Sequence, residues 1–202
     1  MAVDSHDVAS HDVTSLDDQR MREVYEFTAR TLQTKHPVPF GALIVHTQTG
    51  KRLMIAVNAV KIENDPSSHG ETRTVRLACK KLKSSTLAGY TMYSTCEPCP
   101  MCMANALWAR LDRVVYGATI ADANRYLPQI HIDAKEVARR ADMHCEVVGP
   151  VQRDLCVTLF THPNMQKAFR TWAASASKPS PAGSPAAAAP KVRRAPSARK
   201  KS

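Results

Sequence analysis

Two short stretches hold residue types that can do chemistry. "STCEPCPMC", residues 94–102, carries Cys96, Cys99 and Cys102 at equal spacing, so two overlapping CxxC pairs can be read from it. "SHGE", residues 68–71, carries His69 and Glu71 about thirty residues upstream. Cys99 and Cys102 lie three apart on a predicted helix, so they share one face and both sulfurs can reach one ion. The partial positive charge of a helix start favours their thiolates. His69 opens another predicted helix and adds a nitrogen. Three protein ligands leave a tetrahedral Zn²⁺ one open position, the arrangement of a catalytic rather than a structural zinc. This predicts one Zn²⁺ per subunit, with a water or hydroxide in the fourth place. Glu71, just past Gly70, points toward that water without ligating. Zinc lowers the pKa of such a water to about 7, and a carboxylate in reach can carry its proton.

The rival readings are a thioredoxin-like redox pair, a Cys/His zinc knuckle, and a core cysteine pair beside a solvated His and Glu. Each motif alone is weak. The two together, separated by a helix and a strand, favour the catalytic metal. Cys96 falls at a strand end, off the face shared by the other two, and reads as a small buried neighbour. Cys79, Cys145 and Cys156 sit in apolar contexts and read as core.

The elements that must position these residues follow from periodicity. Residues 17–34 place Met21, Val24, Tyr25, Thr28 and Leu32 at helical spacing, with Asp17 and Asp18 suited to cap the start. "FGALIVH" and "RLMIAVNAV" are strand-like runs joined by "TQTGK", a hairpin. "IENDPSS" reads as a loop, and "SHGETRTVRLACKKL" as a helix. "YTMYSTC" is a strand, and "PCPMCMANALWAR" a helix with proline in its first turn. "RVVYGAT" is a strand, "IDAKEVARRAD" a helix and "HCEVVGP" a short last strand. "VQRDLCVTLF" and "NMQKAFRTWAAS" are helices broken at His162–Pro163. A hairpin followed by helix–strand alternation predicts one sheet between helices. Its first two strands should be antiparallel, and the later ones, reached through helices, parallel.

The ends differ from this body. Residues 1–18 hold five Asp and no Lys or Arg, and 177–202 hold seven Lys or Arg and no acid. Of the chain's net +10, the body between them carries +8. Residues 1–16 are expected to be a disordered acidic arm, 17–176 the folded domain, and 177–202 a disordered Pro/Ala-rich basic tail. The tail reads equally as a weak, salt-sensitive tether to nucleic acid or as a solubilising segment. The basic body is compatible with phosphate-bearing ligands. No run of about 18 apolar residues and no secretory signal is present, which points to a cytoplasmic, non-membrane protein with reduced cysteines.

With His69, Glu71, Pro98, Cys99 and Cys102 in place, the pattern H-x-E…P-C-x-x-C resembles that of the cytidine/deoxycytidylate-type zinc deaminases. The resemblance covers about residues 20–172. "PFGALIVH", "NDPSSHGE", "ACKKL", "YSTCEPCPMC" and "ALWAR" look like bacterial guanine deaminases. It implies a three-layer α/β/α sandwich around a mixed five-stranded sheet, usually a homodimer or tetramer, with Trp108 at the metal helix or an interface. It implies that Asn58 holds the base, that Phe40 borders it and that Gly70 orients the amine. The reaction implied is hydrolytic deamination of a small-molecule nucleobase or nucleoside, guanine to xanthine and ammonia first. Alternatives are cytosine or another amino-azine, adenosine in transfer RNA, or a non-enzymatic zinc-stabilised nucleic-acid-binding protein. The chain departs from the guanine enzymes in reading "HGE" for "HAE". It also lacks their acidic loop after the fourth strand, where Asp122 or Asp133 is the candidate substitute, and their acidic C-terminal contact.

Overall fold

The computed structural model describes residues 6–176, with side chains from 16 to 173. The expected tail at 177–202 and residues 1–5 lie outside the described residues. The elements, in chain order, are α1 (His6–Ala29), β1 (Gly41–His46), β2 (Arg52–Val57), α2 (Val60–Glu63), α3 (Gly70–Leu82), β3 (Tyr90–Cys96), α4 (Pro100–Trp108), β4 (Arg113–Ala118), α5 (Ile120–Asn124), α6 (Ala134–Arg139), β5 (Glu146–Val148), α7 (Arg153–Thr161) and α8 (Pro163–Ala176). A 3₁₀ turn at Arg30–Gln33 closes α1.

The sheet has five strands in the order β2-β1-β3-β4-β5. β1 pairs antiparallel with both β2 and β3, and β3–β4 and β4–β5 are parallel. β3, reached from β2 through α3, runs parallel to β2 as expected, but the two are not neighbours: β1 lies between them and pairs antiparallel with both. The hairpin turns the chain outward to β2, so α3 returns it past β1, whose direction is opposite.

Strand alternation builds two cores, one per face. Leu43, Val45, Tyr93 and Val115 meet Met21 and Val24 of α1, Leu159 and Phe160 of α7 and Phe169 of α8. Ala42, Ile44, Met92 and Val114 meet Val75 and Ala78 of α3, Met103 and Leu107 of α4 and Ala134 of α6. This is the three-layer α/β/α sandwich with a mixed five-stranded sheet.

Three local readings change. α1 reaches back to His6 rather than starting at residue 17, so helix replaces the expected disordered arm over 6–16. No glycine or proline interrupts that run, and Asp17 is not a cap. Its buried carboxylate is gripped by the two terminal guanidinium nitrogens of Arg113 at 2.7 and 2.8 Å and by the Tyr93 hydroxyl at 2.7 Å, pinning α1 across β3 and β4. The "IENDPSS" stretch contains the end of α2. Residues 119–142 hold two short helices rather than one. α5 is started by a capping box in which Thr119 and Asp122 satisfy each other's backbone N–H.

Candidate metal centre and substrate cavity

The site forms where the C-terminal ends of β2, β3 and β4 meet, the usual edge for ligands in open α/β sheets. Two helix starts converge there. His69 is the N-cap of α3 and Cys99 the N-cap of α4, whose first residue, Pro100, has no N–H to leave unpaired. Cys102 lies one turn into α4 and is buried. The loop before His69 is fixed by charge: Glu63 accepts from the Ser68 hydroxyl and pairs with Arg73 at 2.8 Å and Arg76 at 3.1 Å. Asp65 accepts both the N–H and the hydroxyl of Ser67, at 2.8 and 2.7 Å.

His69 Nδ1 lies 3.7 Å from Cys99 Sγ and 3.5 Å from Cys102 Sγ, and the three donor atoms lie within 4.8 Å of one another. A tetrahedral zinc with Zn–S near 2.3 Å and Zn–N near 2.0–2.1 Å needs ligand atoms about 3.5–3.8 Å apart. The donor set and its spacing fit. The protonation preferences agree. Cys99 is pulled down to about 4, first by the hydrogen bond from its neighbour Cys102 and then by His69. Cys102 is pushed up by that same bond and by burial. A dication seated among them would favour the thiolate form of both cysteines. His69 is raised, chiefly by its hydrogen bond to Cys99. The Thr72 hydroxyl donates to Cys102 Sγ at 3.4 Å, a contact that orients the ligand.

Glu71 stands beside this group and is not part of it. Its carboxylate is buried, with one oxygen accepting from Ser94 at 3.2 Å and the other 3.7 Å from Cys102 Sγ. Burial holds its carboxyl above the usual range. Cys96, at the end of β3, is buried with its thiol 3.8 Å from the Thr119 carbonyl, and is no ligand.

Above the ligands opens a cavity of about 660 Å³, lined by His69, Glu71, Cys99, Phe40, Asn58, Val60 and Lys61, by Cys96 and Glu97, by residues 127–130 and by Trp172. Phe40 both borders the cavity and packs edge-on against Phe160, ring centroids 5.5 Å apart. Asn58 Oδ1 accepts the Val60 N–H at 3.2 Å, which leaves its NH₂ for a ligand. Gly70 does not line the cavity. A Cβ there would come within 3.0 Å of the Phe40 carbonyl, so this glycine lets α3 abut β1, and "HGE" reflects that close approach. Asp122 and Asp133 are also absent from the lining. Asp122 is taken by Arg153 and Thr119, and Asp133 is the exposed N-cap of α6.

Several contributors were not singled out from sequence: Ser94, Thr72, Glu97, Gln129, Lys61 and Trp172. Glu97 was visible inside "CEPC". Its buried carboxylate accepts the N–H of Ile120 at 3.1 Å and of Ala134 at 3.0 Å. It thereby ties the first residues of α5 and α6 to the metal loop and holds the 125–133 segment between them over the cavity.

A mixed sheet between helices, with one His, two Cys and a non-ligating Glu at two helix starts, defines a cytidine-deaminase-like metalloprotein with a catalytic-type zinc site. The chain belongs to the cytidine and deoxycytidylate deaminase family: the model of its zinc-binding region matches residues 14–118. Guanine deaminase of Bacillus subtilis is 42% identical over 85 residues, covering 42% of this chain and 53% of that protein. The tRNA-specific adenosine deaminase of Rickettsia bellii is 35% identical over 99 residues, covering 49% and 68%. The chain thus matches only about half the length of the Bacillus enzyme. Among solved structures, a guanine deaminase from Nitrosomonas europaea has the same fold, with a TM-score of 0.65 at 20% identity, covering 73% of this chain and 84% of that one. No helix among the described residues is long and apolar enough to cross a membrane.

Proposed function

We propose that the chain is a zinc-dependent hydrolase that removes an exocyclic amine from a nucleobase or nucleoside, converting guanine to xanthine and ammonia as its first reaction. Glu71 carries this reading. A buried carboxylate held by Ser94 against the ligand group, yet outside it, has no use in a structural zinc site. His69, Cys99 and Cys102 would hold the ion, which supplies a Lewis acid that lowers the pKa of water to about 7. Glu71, raised by burial, takes a proton from the attacking water. It passes that proton to the ring nitrogen, then takes the remaining proton of the added hydroxyl and passes it to the departing amine, so that base-NH₂ and water become base-carbonyl and ammonia.

The cavity supplies a donor and an acceptor for the base. Asn58 offers its NH₂. Gln129 donates to the Leu127 carbonyl at 3.4 Å, which leaves its Oε1 as acceptor. That pair suits an amide-like edge such as guanine's, with neutral amides in place of a free carboxylate. The identity to Bacillus guanine deaminase supports the same base. The test is ammonia release by the zinc-loaded chain from guanine, guanosine, cytosine, adenine and related amino-azines. Release fastest from guanine is expected, and release from none overturns the reading.

Adenosine in transfer RNA is the second reading, favoured by the larger share of the Rickettsia enzyme that the match covers. Inosine formation in transfer RNA, without turnover of free bases, would establish it. For assembly we favour a cytoplasmic homodimer. Met101 and Trp108, seven residues apart on α4, are exposed and supply its face.

A further inference from the structure

A second cavity of about 560 Å³ adjoins the first, between the segment that follows the 3₁₀ turn, α2 and α8. The two share Asn58, Lys61 and Trp172 as lining residues. The first cavity alone lies within the range of about 300–1,000 Å³ that holds a whole small ligand, so the second is more than a free base requires. Its chemistry is one-sided. Lys35, His36, Lys61 and Lys167 line it, and no Asp or Glu does. Among the described residues none of these three lysines is ion-paired with a carboxylate. Glu63, the nearest acid in sequence to Lys61, is engaged by Arg73 and Arg76. Lys61 Nζ lies over the Trp172 ring, 4.8 Å from its centroid, at the passage between the lobes.

Ammonium groups without a carboxylate partner, gathered in a concave site, match an anion rich in acceptor oxygens. The reacting base, seated over Glu71, would extend its sugar past Asn58 and Trp172, and the next group outward would enter the basic lobe. We propose that this lobe receives a phosphate joined through a sugar to the base being deaminated, so that a nucleotide is turned over in preference to the same nucleoside without its phosphate. This rests on the deaminase reading above and refines its substrate. The phosphate can belong to a nucleoside monophosphate or to the backbone of single-stranded RNA, and the two sources are separable.

The test compares kcat/KM for ammonia release by the zinc-loaded full chain on guanine, guanosine, guanosine 5′-monophosphate and a short guanosine-containing oligoribonucleotide. A matched adenosine series runs alongside. A charge-assisted contact is worth about tenfold or more, so a phosphorylated form should exceed its nucleoside by at least that factor. The advantage should shrink as salt rises and fall about tenfold in Lys35→Gln/Lys167→Gln. Preference for the monophosphate assigns a mononucleotide, and preference for the oligonucleotide alone assigns the RNA backbone. Equal rates with and without phosphate, unmoved by the double substitution, overturn the proposal. Binding of inorganic phosphate is measured in parallel by calorimetry on wild type and double variant. If no compound releases ammonia, the deaminase reading fails on its own. Phosphate binding lost in the double variant then still supports the anion site, and binding that is absent or unchanged removes it.

Discussion

The metal corner and the cavity wall that faces it are built by different means. The corner uses two helix starts and a single turn: His69 and Cys99 are N-caps, Cys102 follows Cys99 by three residues, and Glu71 follows His69 by two. Each position is fixed by local backbone geometry and then buried. The wall is assembled from four separated segments, around Phe40, around Asn58–Lys61, from 127 to 130, and Trp172 on α8. These meet only because the sheet and the outer helices bring them together. The metal corner is therefore held by short-range constraints, and the cavity wall by long-range ones. Substitutions should separate the two.

The largest effect is expected at the ligands. Cys102→Ala removes one of three donors, and the variant should lose both zinc and turnover, read by metal content and ammonia release. In the metal-stripped wild type the cysteines should divide in the same way. Cys99, whose thiol is pulled down by Cys102 and His69, should alkylate first. Cys96 and Cys156, with thiols pushed up by burial, Cys156 to about 12, should resist. Labelling by mass spectrometry that proceeds first at Cys96 would contradict the arrangement.

Next comes Glu71. Proton transfer by a positioned group contributes about 10²–10⁴-fold, so Glu71→Ala should lose at least that much kcat and keep its zinc. Loss of the metal with the activity would make Glu71 a ligand rather than a proton carrier.

The contrast also explains what could be read from the sequence. His69, Glu71, Cys99 and Cys102 were legible because an N-cap and a three-residue offset are sequence-local. β1, β2, β3 and β4 were legible because their apolar runs are bounded by turns. The antiparallel β1–β3 pairing was not, because it depends on which side of the hairpin α3 returns. Ser94 reaches Glu71 only through the register of β3 against the start of α3. Gln129 lies in a stretch without periodicity, and Trp172 looked like any apolar residue of an amphipathic helix. Asp122 and Asp133 drew attention as acids in the right region, but side-chain type alone could not reveal that Arg153 and Thr119 already hold one of them and that the other caps α6.

Glu97 joins the two regions, and its substitution should have an intermediate effect. Glu97→Ala leaves two buried N–H groups without partners, each costing about 1–3 kcal/mol, where α5 and α6 begin. A drop in melting temperature is expected with zinc still bound. KM should rise more than kcat falls, because the loosened part is the 125–133 wall rather than the metal corner. Equal loss of zinc would show that Glu97 supports the ligands instead.

The smallest effects belong to the wall itself. In the proposed binding of the base, Asn58→Ala and Gln129→Ala should each remove one neutral hydrogen bond to it, about 0.5–1.5 kcal/mol, or roughly two- to tenfold in kcat/KM. Neither should alter zinc content. Their value lies in direction. If Asn58 donates and Gln129 accepts, replacing a ring acceptor on the substrate should cancel the Asn58 effect and spare the Gln129 effect. Replacing a ring N–H should do the reverse. Such a crossed pattern, measured with guanine analogues lacking one group at a time, would fix the orientation of the base over Glu71. If both substitutions respond alike to both analogues, the two amides shape the cavity without reading the base, and its specificity must lie in Lys61, Trp172 and the lobe beyond them.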